Sequence, residues 1–119
     1  MTNMEKLQAV WDAKDLDGVK NMFTEDAVML IHHENRFLKE KELDSELTAM
    51  VLDEDTVSSD FRIIYENDEC AVTYEKIAGP FFGGQVSIVQ LWRGDKIYRM
   101  EVSTIKDNTC LLYTSDAAD

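Results

Sequence analysis

An α+β domain, with helices laid over one face of an antiparallel sheet, is the fold class this sequence predicts. Three observations carry the prediction. Apolar residues recur at helical spacing in three stretches, all within residues 2–52. One short apolar run, residues 26–32, lies between the second and third of them. From Phe61 onward the chain alternates apolar and polar residues between tight-turn dipeptides. Helices grouped ahead of a run of strands cover one face of a sheet, whereas regular alternation of helix and strand would signal a parallel α/β fold. A chain of 119 residues with 45% hydrophobic and 30% charged residues is one domain, long enough to bury a core without a disulfide or metal staple.

The elements follow in order. Thr2 and Glu5 form a capping-box pattern, in which hydroxyl and carboxylate each satisfy a backbone donor at the helix start. Met4, Leu7, Val10 and Trp11 then make one apolar stripe. Asp15 caps a second helix whose buried face is Leu16, Val19, Met22 and Phe23; Gly18 keeps it short. Asp26 to His32 reads as a strand, His33 to Arg36 as a polar turn, and Phe37 starts the return. Leu43, Leu47, Met50 and Val51 then sit at i, i+4, i+7 and i+8, the spacing of a helix with one buried face. Strands 61–66 and 69–78 flank Asn67-Asp68, and strands 85–93 and 96–106 flank Gly94-Asp95, each pair a hairpin. Residues 79–84 are expected to be a loop, because Pro80 cannot donate to a ladder.

Charge and composition exclude several functions. The formal net charge is −12, and −10 once Asp116 and Asp119 are set aside with the tail described next. Such a surface repels phosphate backbones and anionic lipid. No basic stripe with interleaved aromatics is present, so neither nucleic acid nor membrane is an expected partner. Residues 110–119, Cys-Leu-Leu-Tyr-Thr-Ser-Asp-Ala-Ala-Asp, read like a translated adapter from DNA library preparation. They are expected to be a non-native tail, which leaves residues 1–109 as the domain. Cys70 is then the single cysteine of that domain, and a disulfide framework is excluded. The N-terminus lacks a basic region followed by an apolar stretch, so no secretory leader is expected and a cytoplasmic location is.

Two segments resemble a known family. Trp11-Asp12-Ala13-Lys14-Asp15-Leu16-Asp17, followed by residues 23–28, Phe-Thr-Glu-Asp-Ala-Val, resembles the opening of nuclear transport factor 2-like, or SnoaL-like, domains. Residues 93–101, Arg-Gly-Asp-Lys-Ile-Tyr-Arg-Met-Glu, resemble their last hairpin. The similarity spans residues 3–106 in element order. It implies a curved sheet wrapped into a cone, closed by three helices of the N-terminal half around a pocket, the α+β roll also seen in cystatin-like proteins. Members include ketosteroid isomerase, scytalone dehydratase, limonene epoxide hydrolase, polyketide cyclases and non-catalytic adaptors, so the resemblance speaks for fold far more than for function. A ketosteroid isomerase places a carboxylate base on the first strand and a Tyr with a protonated Asp as the oxyanion hole. Counted without gaps from Trp11, the base position falls on Ile31, the tyrosine position on Leu7 and the Asp position near Ser87 or Ile88. None of these can do that work.

Other residues can carry chemistry. His32 and His33 are the two histidines, and a histidine titrates near neutrality, as a general base requires. The register that turns Met29 and Ile31 inward also turns His33 inward, unless the strand ends at His32 and leaves His33 on the rim. Adjacent histidines do not share one ion easily and no spaced ligand supports them, so no metal and no cofactor is expected. Alternation groups Phe61, Ile63 and Tyr65 on one face, Val72, Tyr74 and Lys76 on another, and Val86, Ile88, Gln90 and Trp92 on a third. If the aromatic sets face the helices, Phe61, Tyr65, Tyr74, Gln90 and Trp92 line the pocket with Trp11, Phe23 and Ile31, and Tyr74 is a catalytic candidate beside His33 and His32. Each has a plainer reading: the tyrosines as core aromatics, Arg99 and Glu101 as a surface ladder, and the histidines as edge residues. Ile64, Ala71, Ile77, Val89 and Leu91 would then form an apolar outer face, which points to a homodimer through the sheet. Phe81 and Phe82 would serve either as a pocket lid or as a dimer contact. The expected function is binding of a small, mostly apolar organic molecule, with cofactor-free isomerase, cyclase or hydrolase chemistry; the alternative is a non-catalytic ligand-binding, dimerisation or protein-interaction module.

Overall fold

A computed structural model of the chain describes residues 1–80 and 82–106. The expected tail at 110–119, Phe81 and the side chain of Phe82 lie outside the described residues. The elements are α1 (Asn3–Asp12), α2 (Leu16–Lys20), β1 (Phe23–Ile31), a 3-10 turn (His32–Glu34), β2 (Arg36–Lys39), α3 (Glu40–Leu52), β3 (Val57–Glu66), β4 (Cys70–Gly79), β5 (Phe82–Arg93) and β6 (Lys96–Lys106).

Local chemistry sets the helix ends as the sequence implies. The Thr2 hydroxyl accepts from the Glu5 amide while the Glu5 carboxylate accepts from Thr2 N, completing the capping box. Asp15 accepts from the Gly18 amide and starts α2. The stripe of α3 buries Leu43, Leu47 and Val51. Met50 packs against that core while staying half-buried.

Six strands form one open, curved sheet in the order β2-β1-β6-β5-β4-β3. The last four strands are the expected antiparallel meander. β1 joins the far side of β6 in parallel, with Met29 opposite Met100 and Ile31 opposite Val102. Several boundaries differ from the sequence-based expectation. The second helix ends at Lys20, so Phe23, expected on its buried face, opens β1, and that strand runs from Phe23 to Ile31 where Asp26 to His32 was expected. β3 begins at Val57, before Phe61, because Val57 to Ser59 pair with Lys76 to Ala78. The expected loop at 79–84 is mostly strand: Gly83 and Gly84 pair with Ala78 and Ile77. Gly84 belongs there because a Cβ would lie 2.6 Å from the carbonyl oxygen of Ile105, a close approach that glycine permits.

The helices cover one sheet face, and the core between them includes Met4, Leu7, Val19, Met29, Ile97 and Met100. Which residues face that core corrects part of the expected alternation. On β5, Val86 and Gln90 point to the helices; their β4 partners, Glu75 and Ala71, share that face, as do Thr73 and Ile77. Val72 and Tyr74 therefore lie on the outer face, opposite to the expected pocket set, and Ala71 and Ile77 are withdrawn from the expected outer face. On β3 the register shifts between Ile63 and Tyr65. An extra residue in a bulge inverts the phase of everything after it. Phe61 thus points inward while Tyr65, paired with Val72, points outward and is 55% exposed. Arg62 also faces outward, stacked over the ring of its partner Tyr74 at 4.5 Å.

Candidate functional site

The concave face of the sheet and α3 enclose a cavity of about 370 Å³. One part of its lining is apolar, with Met29, Ile31, Met50, Ile77, Ile88 and Val102 among it, and the rest is polar or charged. A second, narrower chamber of about 100 Å³ lies under α1, lined by Leu7, Trp11, Phe61, Thr73, Gln90 and Met100 among others. Met50, Glu75 and Ile88 line both chambers and form the neck between them.

The rim of the larger cavity is charged. β1 ends at Ile31, and the following 3-10 turn carries His33 to the mouth while sending His32 to the other side of the sheet. Of the two positions the sequence left open for His33, the structure takes the rim. His33 Nε2 lies 3.6 Å from Glu34, which accepts from Arg36 at 3.0 Å; Arg36 also donates to Glu46 at 3.2 Å. The Arg36 hydrogen bond holds the Glu34 carboxyl below the ordinary glutamate range, helped by the charges of His33 and Lys106. The mouth therefore presents a histidine braced by an ionised network.

His32 stands on the outer face instead, with Nε2 2.8 Å from Glu101 Oε1, while Arg99 Nε donates to Glu101 Oε2 at 2.8 Å. Arg99 first, then His32, pull the Glu101 carboxyl below its usual range. A carboxyl whose pKa is lowered on folding adds stability above its unfolded value and loses it as pH falls through the folded one. Glu101→Gln is thus expected to cost no more than about 1 kcal/mol near pH 7, since the pair is partly solvated, and to cost progressively less as pH drops below the ordinary glutamate range. Urea melts of both proteins at pH 3 to 7 check this.

The remaining predicted residues divide plainly. Ile31 lines the large cavity, and Trp11, Phe61 and Gln90 line the narrow chamber. Phe23 is packed in the core toward α2 and α3, and Trp92 is buried opposite Ile97; they line neither chamber. Tyr65 and Tyr74 lie on the outer face, so neither reaches the two chambers, and His32 is separated from them by the sheet. Each position that the family resemblance marks for chemistry meets a cavity: Ile31 lines the larger, Leu7 the narrower, and of the two candidates for the Asp position Ile88 lines both while Ser87 lines neither. The three that line a cavity are apolar.

Sequence reasoning missed Glu75, Thr73 and the rim residues Arg36 and Lys106. The signal for Glu75 was available only through pairing. It lies two residues from Thr73 and from Ile77, and its β5 partner is Val86, a residue of the helix-facing set. The β4 alternation alone has two equally good phases.

A curved six-stranded sheet with three helices over its concave face is the nuclear transport factor 2-like fold. Solved structures match it over nearly the whole chain. One is a nuclear transport factor 2-like protein of unknown function from Cytophaga hutchinsonii, with TM-score 0.67, 9% identity, and 92% of this chain and 91% of that one covered. A second, from Sphaerobacter thermophilus, has TM-score 0.70 and 14% identity over 88% of this chain and 94% of that one. A third, from Kribbella flavida and proposed to be a ketosteroid isomerase, has TM-score 0.71 and 8% identity over 88% of this chain and 76% of that one. No protein-family model and no curated protein matches the sequence. The chain shares its fold with these proteins, and at such identities the likeness extends to the fold alone. No helix among the described residues is long and apolar enough to cross a membrane.

Proposed function

We propose that this chain is a cytoplasmic SnoaL-like pocket protein that binds a small, mostly apolar organic molecule between α3 and the curved sheet. The supporting observation is the cavity of about 370 Å³ that joins an apolar wall of aliphatic and methionine side chains to a charged and polar set that includes His33, Glu34, Arg36, Glu46, Glu75 and Lys106. Apolar surface for affinity and polar atoms for orientation are what a small-molecule site combines. His33 is the residue placed to move a proton at the mouth, in cofactor-free isomerase, cyclase or hydrolase chemistry. Tyr74 and His32 take no part in that chemistry from the outer face. A non-catalytic ligand-binding module is the second reading, and it is favoured by Ile31, Leu7 and Ile88 standing where the isomerases of this fold carry their reactive groups.

The outer face supports a homodimer in the same proposal. Val28, Leu30, Val72, Tyr74, Val89 and Leu91 lie there half-buried, in a band too apolar to be left in water without consequence. A native mass spectrum of the protein as purified tests both halves. A dimer carrying an additional small-molecule mass is the expected result; a bare monomer removes the dimer. Val89→Asp sets a charge in the middle of that face and is expected to shift the dimer to monomer at micromolar concentration while the melting profile of the monomer stays cooperative. Sedimentation velocity reads the change. If a substrate is found, loss of turnover in folded His33→Ala supports catalysis, and unchanged turnover removes His33 from the mechanism.

A further inference from the structure

We propose that Met50 sets the length of ligand that the pocket accepts, by closing the neck between its two chambers. The site then takes an amphiphile whose polar head stays at the charged mouth and whose apolar tail ends at Met50. This rests on the pocket reading above and specifies what the pocket takes.

Different helices wall the two chambers. α3 contributes Glu46 and Met50 to the larger, and α1 contributes Met4, Leu7, Gln8 and Trp11 to the narrower. Met50 alone among the described helix residues lines both. Its counterpart on the sheet is Ile88, in the row where Thr73, Ile88, Val102 and Ile31 pair in turn from β4 to β1. That row is the boundary. On one side of it Val86 and Thr104, paired with each other, line the larger chamber; on the other side Gln90 and Met100, also paired, line the narrower. The two halves of the neck differ in stiffness. Ile88 is β-branched and its backbone is held by ladder pairing on both sides. Met50 is unbranched and half-buried near the C-terminal end of α3, the kind of side chain that fills an irregular gap. It packs against the core, so a tail that pushed it aside would forfeit that burial against whatever it gained.

The direction of the ligand follows from where charge lies. His33, Glu34, Arg36 and Lys106 line the larger cavity and not the narrow chamber. Glu75 is the one charged residue that lines both; it accepts from the Ser58 hydroxyl, and its β5 partner is Val86, on the larger chamber's side of the boundary row. Past the neck no other charged residue among those described lines the narrow chamber. A polar head loses least by staying among the charged groups and water of the mouth, because burying it without partners is costly. The tail then points inward along Ile31, Ile88 and Val102, and Met50 stands at its end.

A series of n-alkanols from pentanol to decanol, each titrated calorimetrically into the full chain, measures the limit. Every methylene that is buried strengthens binding about fourfold, and the gain stops at the length where the tail meets the neck. The parent protein is expected to show that stop within the series. Met50→Ala should move it by about two methylenes, so that the longer alkanols bind at least about tenfold more tightly to the variant than to the parent. The ω-bromo derivative of decanol reports where the tail goes, because its heavy atom quenches an indole that it touches and Trp11 lines the narrow chamber and not the larger one. Quenching is expected in Met50→Ala and not in the parent, and should vanish when Trp11→Phe is added. Met50→Val shortens the same side chain while keeping more of its bulk, and should give both effects in smaller degree; it keeps the test decisive should Met50→Ala fail to fold. A gain that runs unbroken through decanol in the parent, an unmoved limit in the folded variant, or a moved limit with Trp11 unquenched overturns the role of Met50 and leaves the pocket standing. Failure of every alkanol to bind removes the pocket reading and this inference with it.

Discussion

Ile31→Asp is expected to cost the fold about 3–5 kcal/mol at neutral pH, the penalty of an uncompensated buried charge. Ile31 is 5% exposed, faces Val102 across the β1–β6 ladder and forms part of the cavity wall. Arg36, the β2 partner of Ile31 and a lining residue of the same cavity, is already engaged by Glu34 and Glu46, and burial raises a carboxyl's pKa above its unfolded value. The protonated form is then tolerated and the ionised form is not. The deficit should therefore be smallest in acid and grow as pH rises from the unfolded aspartate value through the raised folded one. Ile31→Asn measures the part that owes nothing to charge. Guanidinium melts of both variants between pH 4 and 8 decide the matter. A deficit that stays flat with pH means that the new carboxylate reaches water through the mouth, and that Ile31 does not seal the wall. The variant also places a carboxylate where the resemblance to ketosteroid isomerase would put the base, so it shows what this scaffold does to such a group.

Leu47→Ala is the second large effect, an expected loss of about 2–5 kcal/mol. Leu47 is 2% exposed at the centre of the α3 stripe, between Leu43 and Val51, where the helix packs on the sheet and closes the cavity. Removing the isobutyl group deletes transfer energy and leaves a void that close-packed neighbours refill only in part. Against a total stability of about 5–15 kcal/mol, such a loss approaches unfolding. Leu47→Met, which keeps volume, should cost less than about 1.5 kcal/mol. Leu52→Ala, at a residue 52% exposed on the same helix, should fall within about 0.5 kcal/mol of the parent. Chemical denaturation midpoints read all three. If Leu47→Ala proves as mild as Leu52→Ala, α3 is a loosely docked lid and not part of the core.

The difference between what was legible and what was not is visible in particular residues. Thr2, Glu5 and Asp15 carry their capping roles within three residues of themselves, so the helix starts could be read directly. Gly94 has a positive φ of 67° in the β5–β6 hairpin, the conformation its residue type allows at no steric cost. His33 was legible up to an ambiguity: its face depended on whether β1 ended at residue 31 or ran on. Tyr65, Tyr74 and Glu75 were not legible. Alternation gives the period of a strand and not its phase, and a single bulge on β3 turns Tyr65 to the other face from Phe61. A sequence can show which residues share a face without showing what that face meets.

By itself, then, the sequence determined the α+β class, the three helices with the caps of the first two, the hairpins of the meander and the apolar character of the positions at Leu7 and Ile31. Those properties depend on contacts between near neighbours along the chain. The tertiary structure alone decided that β1 lies parallel to β6, that the Glu75 and Gln90 set faces the cavity while Tyr74 faces away, and that His33 reaches the mouth. The pairing of Met29 with Met100 joins residues more than seventy positions apart. Which of two equally periodic faces turns inward follows from burying the larger apolar area over the whole domain, a sum that no local segment contains.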